Sequence, residues 1–230
     1  ARFDLCSGCT FDLWADDVAS FDTELRDDEV YVSSFPKQKE DVAFYRQRLE
    51  NGLRHTVTLV QAKAILGLRE NGVDAQDVLA WIADFGSQNH EVWGQGMTIL
   101  TIVTNLAPHL QKQTLDHALI RASREVAQEC FSSAQPRKRE PLGSSSQPLE
   151  QLKRWLREGV LGRQRDASER ALQSALEKES EGAAEAYFTA VSDRVYVNYG
   201  HQFDAVNKAF ELLDHIGWEN ADNIIPLTLQ

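Results

Sequence analysis

Apolar residues near the C-terminal end of the chain follow a helical period. Their three- and four-residue steps are those of one face of an α-helix. The stripe consists of Phe203, Val206, Phe210 and Leu213, widened by Ala209, Leu212 and Ile216. Gly200 favours an opening turn, whereas Gly217 and Pro226 favour an end. The pattern predicts one amphipathic helix across 199–229 that packs against a core.

The same period runs through most of the chain from Pro36 onward. It predicts helices at 34–49, 53–70, 74–88, 93–106, 114–130, 149–159, 167–180 and 183–198. Asn51-Gly52 and Asn71-Gly72 are the expected breaks between the first three. Residues 132–148, SSAQPRKREPLGSSSQP, have the composition of a flexible loop. The fold class predicted is mainly α, a multi-helix bundle.

Residues 1–33 instead follow the two-residue period of β-strands. Phe21, Thr23 and Leu25 alternate with polar neighbours, Asp27-Asp28 supplies a turn, and an apolar run returns from Val30. The pattern predicts a small antiparallel segment, which cannot form a core of its own. The predicted domains are therefore a β segment at 1–33 and a helical domain at 34–230.

Charge and composition limit the function classes. The net charge is −11, and residues 1–33 contain nine acidic against two basic residues. This balance argues against nucleic acid as a partner and permits a basic protein partner. Three cysteines in 230 residues indicate a reducing compartment, and no apolar run reaches the ~18 residues of a membrane span. The chain is predicted to be cytoplasmic, without a membrane partner.

Histidines are the main candidates for chemistry. At about 100° per residue, His201 shares its direction with Leu212, and His55 lies near the direction of Leu59 and Leu66, so both are predicted to face inward. Asp204 lies one turn from His201. These three residues are the predicted catalytic group, as ligands or proton-transfer groups.

A metal site is the sharper hypothesis for the same residues. His55, His117 and His201, with His90 or Asp204, could gather from different helices around iron or zinc. The alternative is that each histidine caps a helix or forms a satisfied hydrogen bond in the core. No Glu-x-x-His occurs, which disfavours a ferritin-like di-iron site. Gly94-x-Gly96 predicts close helix packing rather than a dinucleotide-binding loop.

The N-terminal stretch ARFDLCSGCTFD resembles the sequence that follows the second ligand pair of a Rieske [2Fe-2S] domain. There, a Cys-x-x-His pair leads into a Phe-Asp-Leu segment and a Ser/Thr-Gly turn, which residues 1–8 match. Such a cluster needs two cysteines and two histidines, whereas Cys6 and Cys9 are spaced Cys-x-x-Cys and the first histidine is His55. The resemblance implies a fragment of a Rieske-type protein whose cluster ligands precede Ala1.

The helical part resembles the histidine-bearing domain fused behind bacterial Rieske modules and, more distantly, questin oxidase-like proteins. The matching stretches include WGQGMTILTIVTNLAPHL (93–110), DHALIRAS (116–123) and GHQFDAVNKAFELLDHIGWEN (200–220). The resemblance implies an oxidoreductase or electron-transfer component with a histidine-lined pocket, a redox partner protein or a small organic substrate. The alternative is a non-catalytic helical docking module with structural histidines.

Overall fold

A computed structural model describes residues 1–5, 8–12, 14–37, 40–131, 140–143, 147–194 and 197–229. Within these ranges the protein is mainly helical with one two-stranded antiparallel sheet, which confirms the predicted fold class. Most of the predicted loop at 132–148 lies outside the described residues. The chain divides into two compact units, Ala1–Val73 and Asp74–Gln230. The division predicted from the sequence, between residues 33 and 34, separates a β segment from a helical domain. It stays a prediction.

The elements follow in this order. The strands are β1 (Phe21–Arg26) and β2 (Glu29–Pro36). The N-terminal unit continues with α1 (Val42–Arg54) and α2 (Thr58–Glu70). The second unit contains α3 (Ala75–Asn89), α4 (Gln95–Leu106), α5 (Lys112–Phe131), α6 (Leu149–Leu161), α7 (Arg165–Leu176), α8 (Ser180–Ser192), α9 (His201–Ile216) and α10 (Ala221–Ile224), with short 3₁₀ turns between some of them. None of the described helices is long and apolar enough to cross a membrane.

The predicted hairpin is confirmed. Strands β1 and β2 pair antiparallel, with Leu25 opposite Val30 and Thr23 opposite Val32. Asp27 and Asp28 both adopt left-handed backbone angles, φ 49° and 61°. Two consecutive positive φ values are typical of the type I′ turn, whose twist matches that of the strands it joins.

A second tight turn precedes the hairpin. Phe3 and Thr10 form an antiparallel bridge, and the backbone N–H of Gly8 donates to the Asp4 carbonyl at 2.9 Å. Gly8 has a φ of 76°, and a Cβ there would lie 2.0 Å from the Val18 carbonyl oxygen. Only glycine fits both the angle and the space. Cys6 and Ser7, which complete the predicted Cys-x-x-Cys turn, lie outside the described residues.

The first two helix boundaries differ from the prediction. Helix α1 starts only at Val42, since β2 continues to Pro36, and the Asp41 side chain caps it by accepting from the Phe44 N–H at 3.0 Å. The predicted break at Asn51-Gly52 is wrong because Gly52 is a helix–helix contact. A Cβ on Gly52 would lie 2.9 Å from the backbone nitrogen of Gln61 in α2, and the Gln61 side chain donates to the Gly52 carbonyl at 2.9 Å.

The second unit has a continuous apolar core. Helix α4 packs against α5 and α9, α3 packs against α5, and α6 packs against α7 and α8. Fully buried side chains come from most of these helices: Leu79, Ile82, Leu100, Leu119, Leu156, Leu172 and Leu212. Burial of one such side chain contributes about 1.5–3 kcal/mol. This core holds the unit together.

The segment 199–229 is not one helix. Helix α9 ends at Ile216, and Gly217, with a φ of 98°, turns the chain into the short helical turns that follow. The apolar residues from Ala221 onward are nevertheless buried, and the hydroxyl groups of Thr228 and of Tyr187 in α8 are hydrogen-bonded at 3.1 Å. Burial raises the pKa of Tyr187 to about 12. Gly217 was thus correctly interpreted as a helix end. The apolar residues beyond it belong to the core but do not continue the helix.

Candidate functional site

His201 and Asp204 lie in the first turn of α9, and both side chains are exposed. The predicted inward orientation of His201 is therefore wrong. Side chains of a helix tilt toward its N-terminus, so a residue at the first position extends beyond the first turn of the helix and away from the packed stripe. Angular position alone did not account for this end effect.

His55 is the C-cap of α1 rather than a residue of α2, and it is also exposed. Leu59 and Leu66, whose direction it was predicted to share, are themselves 53% and 41% exposed. Leu59 and Leu66 therefore do not lie on the buried face of α2, so a shared direction with them does not imply burial. The inward prediction is wrong for His55, which belongs to the N-terminal unit.

His117 and His90 differ in environment. His117 is exposed on α5. His90 is buried at the end of α3, where its Nδ1 makes a hydrogen bond with the Val92 carbonyl oxygen. That bond closes the turn between α3 and α4, which is a local structural role.

The described side chains do not form a metal centre. Among the ranges that the structure describes, no group of three His, Cys, Asp or Glu residues could hold a metal ion. A metal held with residues beyond these ranges stays a prediction.

His215 lies in the last turn of α9, where its charge would complement the helix dipole. Its Nε2 donates to Asn105 Oδ1 at 2.9 Å, and its backbone carbonyl accepts from Gln76 Nε2 at 2.9 Å. These contacts tie the end of α9 to α4 and α3. The histidine at this end therefore has a structural role.

The two glycines before and within the first turn of α4 make room for the carboxylate of Glu129 on α5. A Cβ on Gly94 would lie 1.5 Å from Glu129 Oε1. The Gly96 N–H donates to Glu129 Oε2 at 2.9 Å. An acid at a helix N-terminus satisfies a free backbone N–H and complements the dipole. Close helix packing, as predicted from the two glycines, is confirmed.

The neighbouring thiol offers little reactivity. Burial, together with the negative charge of Glu129, raises the pKa of Cys130 to about 12. Because the thiolate is the reactive form, Cys130 is inert at neutral pH.

A cavity of about 200 Å³ lies between α3 and the turns that follow α9. Sequence reasoning missed it. Its lining comprises Ala80, Trp81, Asp84, Ser87, Ile216, Asn220, Asn223 and Ile224. Trp81, Asp84 and Ser87 recur at three-residue steps along α3, which places them on one side of this helix. The remaining residues arrive through the turn at Gly217, which the single-helix prediction did not contain.

Comparisons with protein families, with curated proteins and with solved structures find no match to this chain. The chain has three candidate sites: the exposed apolar face of the hairpin, the exposed His201–Asp204 pair and the cavity beside α3.

Proposed function

We propose that residues 1–33 are the closing part of a Rieske-type [2Fe-2S] module and that the chain belongs to an oxidoreductase or electron-transfer protein. The observation that supports this most is the exposed apolar face of the hairpin. Leu25, Val30 and Val32 are 69%, 66% and 60% exposed, and the pairing of the strands places them on one side. Two strands cannot stabilise themselves in water, so this face calls for further β structure.

The order of turns along the chain gives additional support. The tight turn at Phe3–Thr10 with its obligatory Gly8 overlaps the ARFDLCSG stretch on which the resemblance rests, and the hairpin comes next. The opposite face of the hairpin carries Glu24 and Tyr31, with Arg26 opposite Glu29 at the turn end. An apolar face to be covered and a charged face left in solvent are what a closing hairpin of a larger sheet requires.

Within this proposal, His201 and Asp204 are the residues to test as proton-transfer groups. They are three residues apart on one helix, so their side chains are neighbours, and both are open to solvent. His55 is the third candidate, from the N-terminal unit. The acidic balance of residues 1–33 would steer a basic redox partner, and a small organic substrate is the alternative partner.

The test uses the polypeptide that contains this chain together with any sequence preceding Ala1. Iron, acid-labile sulfide and the electron paramagnetic resonance spectrum of the reduced protein are measured. We expect about two irons per chain with a Rieske-type spectrum. Leu25→Lys, on the apolar face, should strongly reduce the iron content, whereas Glu24→Lys, on the charged face, should not. Absence of cluster iron from that polypeptide overturns the proposal.

A second candidate function is a non-catalytic docking module. The observation that favours it is the local role of His90 and His215, combined with the lack of a metal-binding group among the described residues. Here the hairpin face would receive a basic β-strand of a partner protein, matched to the acidic excess of residues 1–33. Iron-free polypeptide that binds an alternating lysine–valine peptide, with affinity lost in Leu25→Lys, would support this function over the first.

A further inference from the structure

We propose that the cavity between α3 and the turns after α9 binds a small organic ammonium ion. The cavity belongs entirely to the second unit and is independent of the proposed redox function. Its polar lining is one carboxylate, two amides and one hydroxyl, and its apolar lining includes an indole. The polar atoms of this lining determine which class of ligand it can bind.

The amide groups present acceptors. Asn220 Nδ2 donates to the carbonyl oxygens of Ile216 and Gly217, at 3.0 and 3.2 Å, and Asn223 Nδ2 donates to Asp222 Oδ1 at 3.2 Å. Asn220 therefore uses both of its amide N–H groups within the protein, and Asn223 uses one of its two. The described hydrogen bonds leave the two Oδ1 atoms as acceptors, so the Asn pair favours a ligand that donates.

The carboxylate adds charge to this preference. Asp84 Oδ1 accepts from Gln88 Nε2 at 2.7 Å, and the described bonds leave its Oδ2 available. The Ser87 hydroxyl donates to the Asp84 backbone carbonyl oxygen at 2.9 Å, so its hydrogen is already used within the protein. An anion would be repelled by the Asp84 carboxylate. A primary ammonium group has three donors and no acceptor, which matches this set.

The apolar part of the lining determines the size and character of the organic group that the ammonium ion carries. Ile216, Ile224 and Ala80 supply aliphatic contacts, and the Trp81 indole adds a surface that attracts cations. The volume of about 200 Å³ is below the ~300 Å³ at which typical ligand pockets begin. A short alkylammonium ion therefore fits better than a nucleotide or a peptide. The net charge of −11 also favours cations near the protein.

The test measures binding of butylammonium to the purified chain by calorimetry and by ligand-observed NMR. Butanol and butyrate serve as neutral and anionic molecules of similar shape. We expect butylammonium to bind, butanol to bind at least tenfold more weakly and butyrate not to bind. A charge-assisted hydrogen bond lost from the site corresponds to roughly 10- to 100-fold in affinity.

Three variants locate the site. Asp84→Asn keeps shape and removes the charge at an exposed position, so the protein should fold and lose about tenfold or more in affinity. Asn223→Leu should also weaken binding. Glu185→Gln removes one negative charge from an exposed position of α8 outside the cavity and should leave affinity unchanged. Equal binding of butylammonium and butanol, or equal losses in Asp84→Asn and Glu185→Gln, would overturn the proposal.

Discussion

The hairpin and the helix α7 show what the same kind of sequence signal can produce in two regions of the molecule. Both have apolar residues at a regular period, and both form the predicted element. In the hairpin, Leu25 and Val30 are more than 60% exposed, whereas Leu172 of α7 is completely buried. Periodicity therefore predicts the element and its apolar face, but it does not tell whether the surface that covers this face belongs to the described chain.

The difference in burial should give the largest difference in stability. Leu172→Ala should lower the free energy of unfolding by about 2–5 kcal/mol because it leaves a cavity in the core. Leu25→Ala should change it by less than about 0.5 kcal/mol, as an exposed side chain loses few contacts. Urea unfolding measures both; tryptophan fluorescence reports mainly on the second unit, which holds Leu172 and four of the five tryptophans.

Unfolding of each unit on its own would show as two transitions, so circular dichroism is recorded in parallel. The comparison fails if Leu25→Ala destabilises the protein as much as Leu172→Ala. That result would mean that the hairpin face is covered in solution.

Helix contacts in the second unit should be sensitive to a single methyl group. A Cβ on Gly96 would lie 2.9 Å from the Glu125 carbonyl oxygen and 3.0 Å from Val126 Cα, both backbone atoms. Gly96→Ala should therefore destabilise the protein by about 1–3 kcal/mol through overpacking. Thermal unfolding measured by calorimetry gives the change.

Gly143→Ala is the matched control, because a Cβ there would meet nothing within 4 Å. It should leave the melting temperature unchanged or raise it slightly through the unfolded state. Equal effects of the two substitutions would mean that α4 and α5 do not approach each other as closely as described.

The smallest expected effect is on the stability of the fold at acidic pH, through the carboxylate of Glu211. Burial acts to raise the pKa of Glu211, but hydrogen bonds from Lys208 and Asn105 outweigh it, and the net pKa lies below the ordinary 4.5. The group therefore stabilises the fold above pH 4.5 and loses this contribution as the pH falls from 4.5 through the lower folded value. Glu211→Gln should remove less than about 1 kcal/mol at neutral pH and flatten the profile below pH 4.5.

Melting temperatures between pH 3 and 7 measure this profile for the parent and for Glu211→Gln. Asn105→Ala removes one donor, at 2.7 Å from Glu211 Oε2, and should show an intermediate slope. A parent profile that is identical to that of Glu211→Gln would contradict the lowered pKa.

Local signals in the sequence predicted most of the fold. The Asp27-Asp28 turn and its alternating flanks predicted the hairpin in detail, and the helix predicted from residue 74 agrees with α3, whose N-cap position is Asp74. These features depend on the preferences of neighbouring residues, which a single sequence contains. The break at 55–57 was missed because Gly52 resembles a helix terminator yet is required where two helices cross.

The candidate sites were harder to predict for two physical reasons. The inward orientation of His201 and His55 was inferred from angle alone, although one is the first residue of a helix and the other a C-cap. The cavity depends on Asp84 and Asn220, which are distant in sequence and meet only because Gly217 turns the chain. Contacts between residues that are distant in sequence depend on tertiary packing, and the periodicity of a single segment contains no information about them.

The charged residues of the hairpin have a consequence for self-association. Its strands leave backbone hydrogen-bonding groups at the edges and an apolar face in the open, which is a template for pairing between copies of the chain. Nine acidic residues in 1–33 make such copies repel each other. Salt screens that repulsion. Concentrated solutions should therefore stay clear at low ionic strength and form β-rich aggregates as salt is added, with the hairpin as the growing edge.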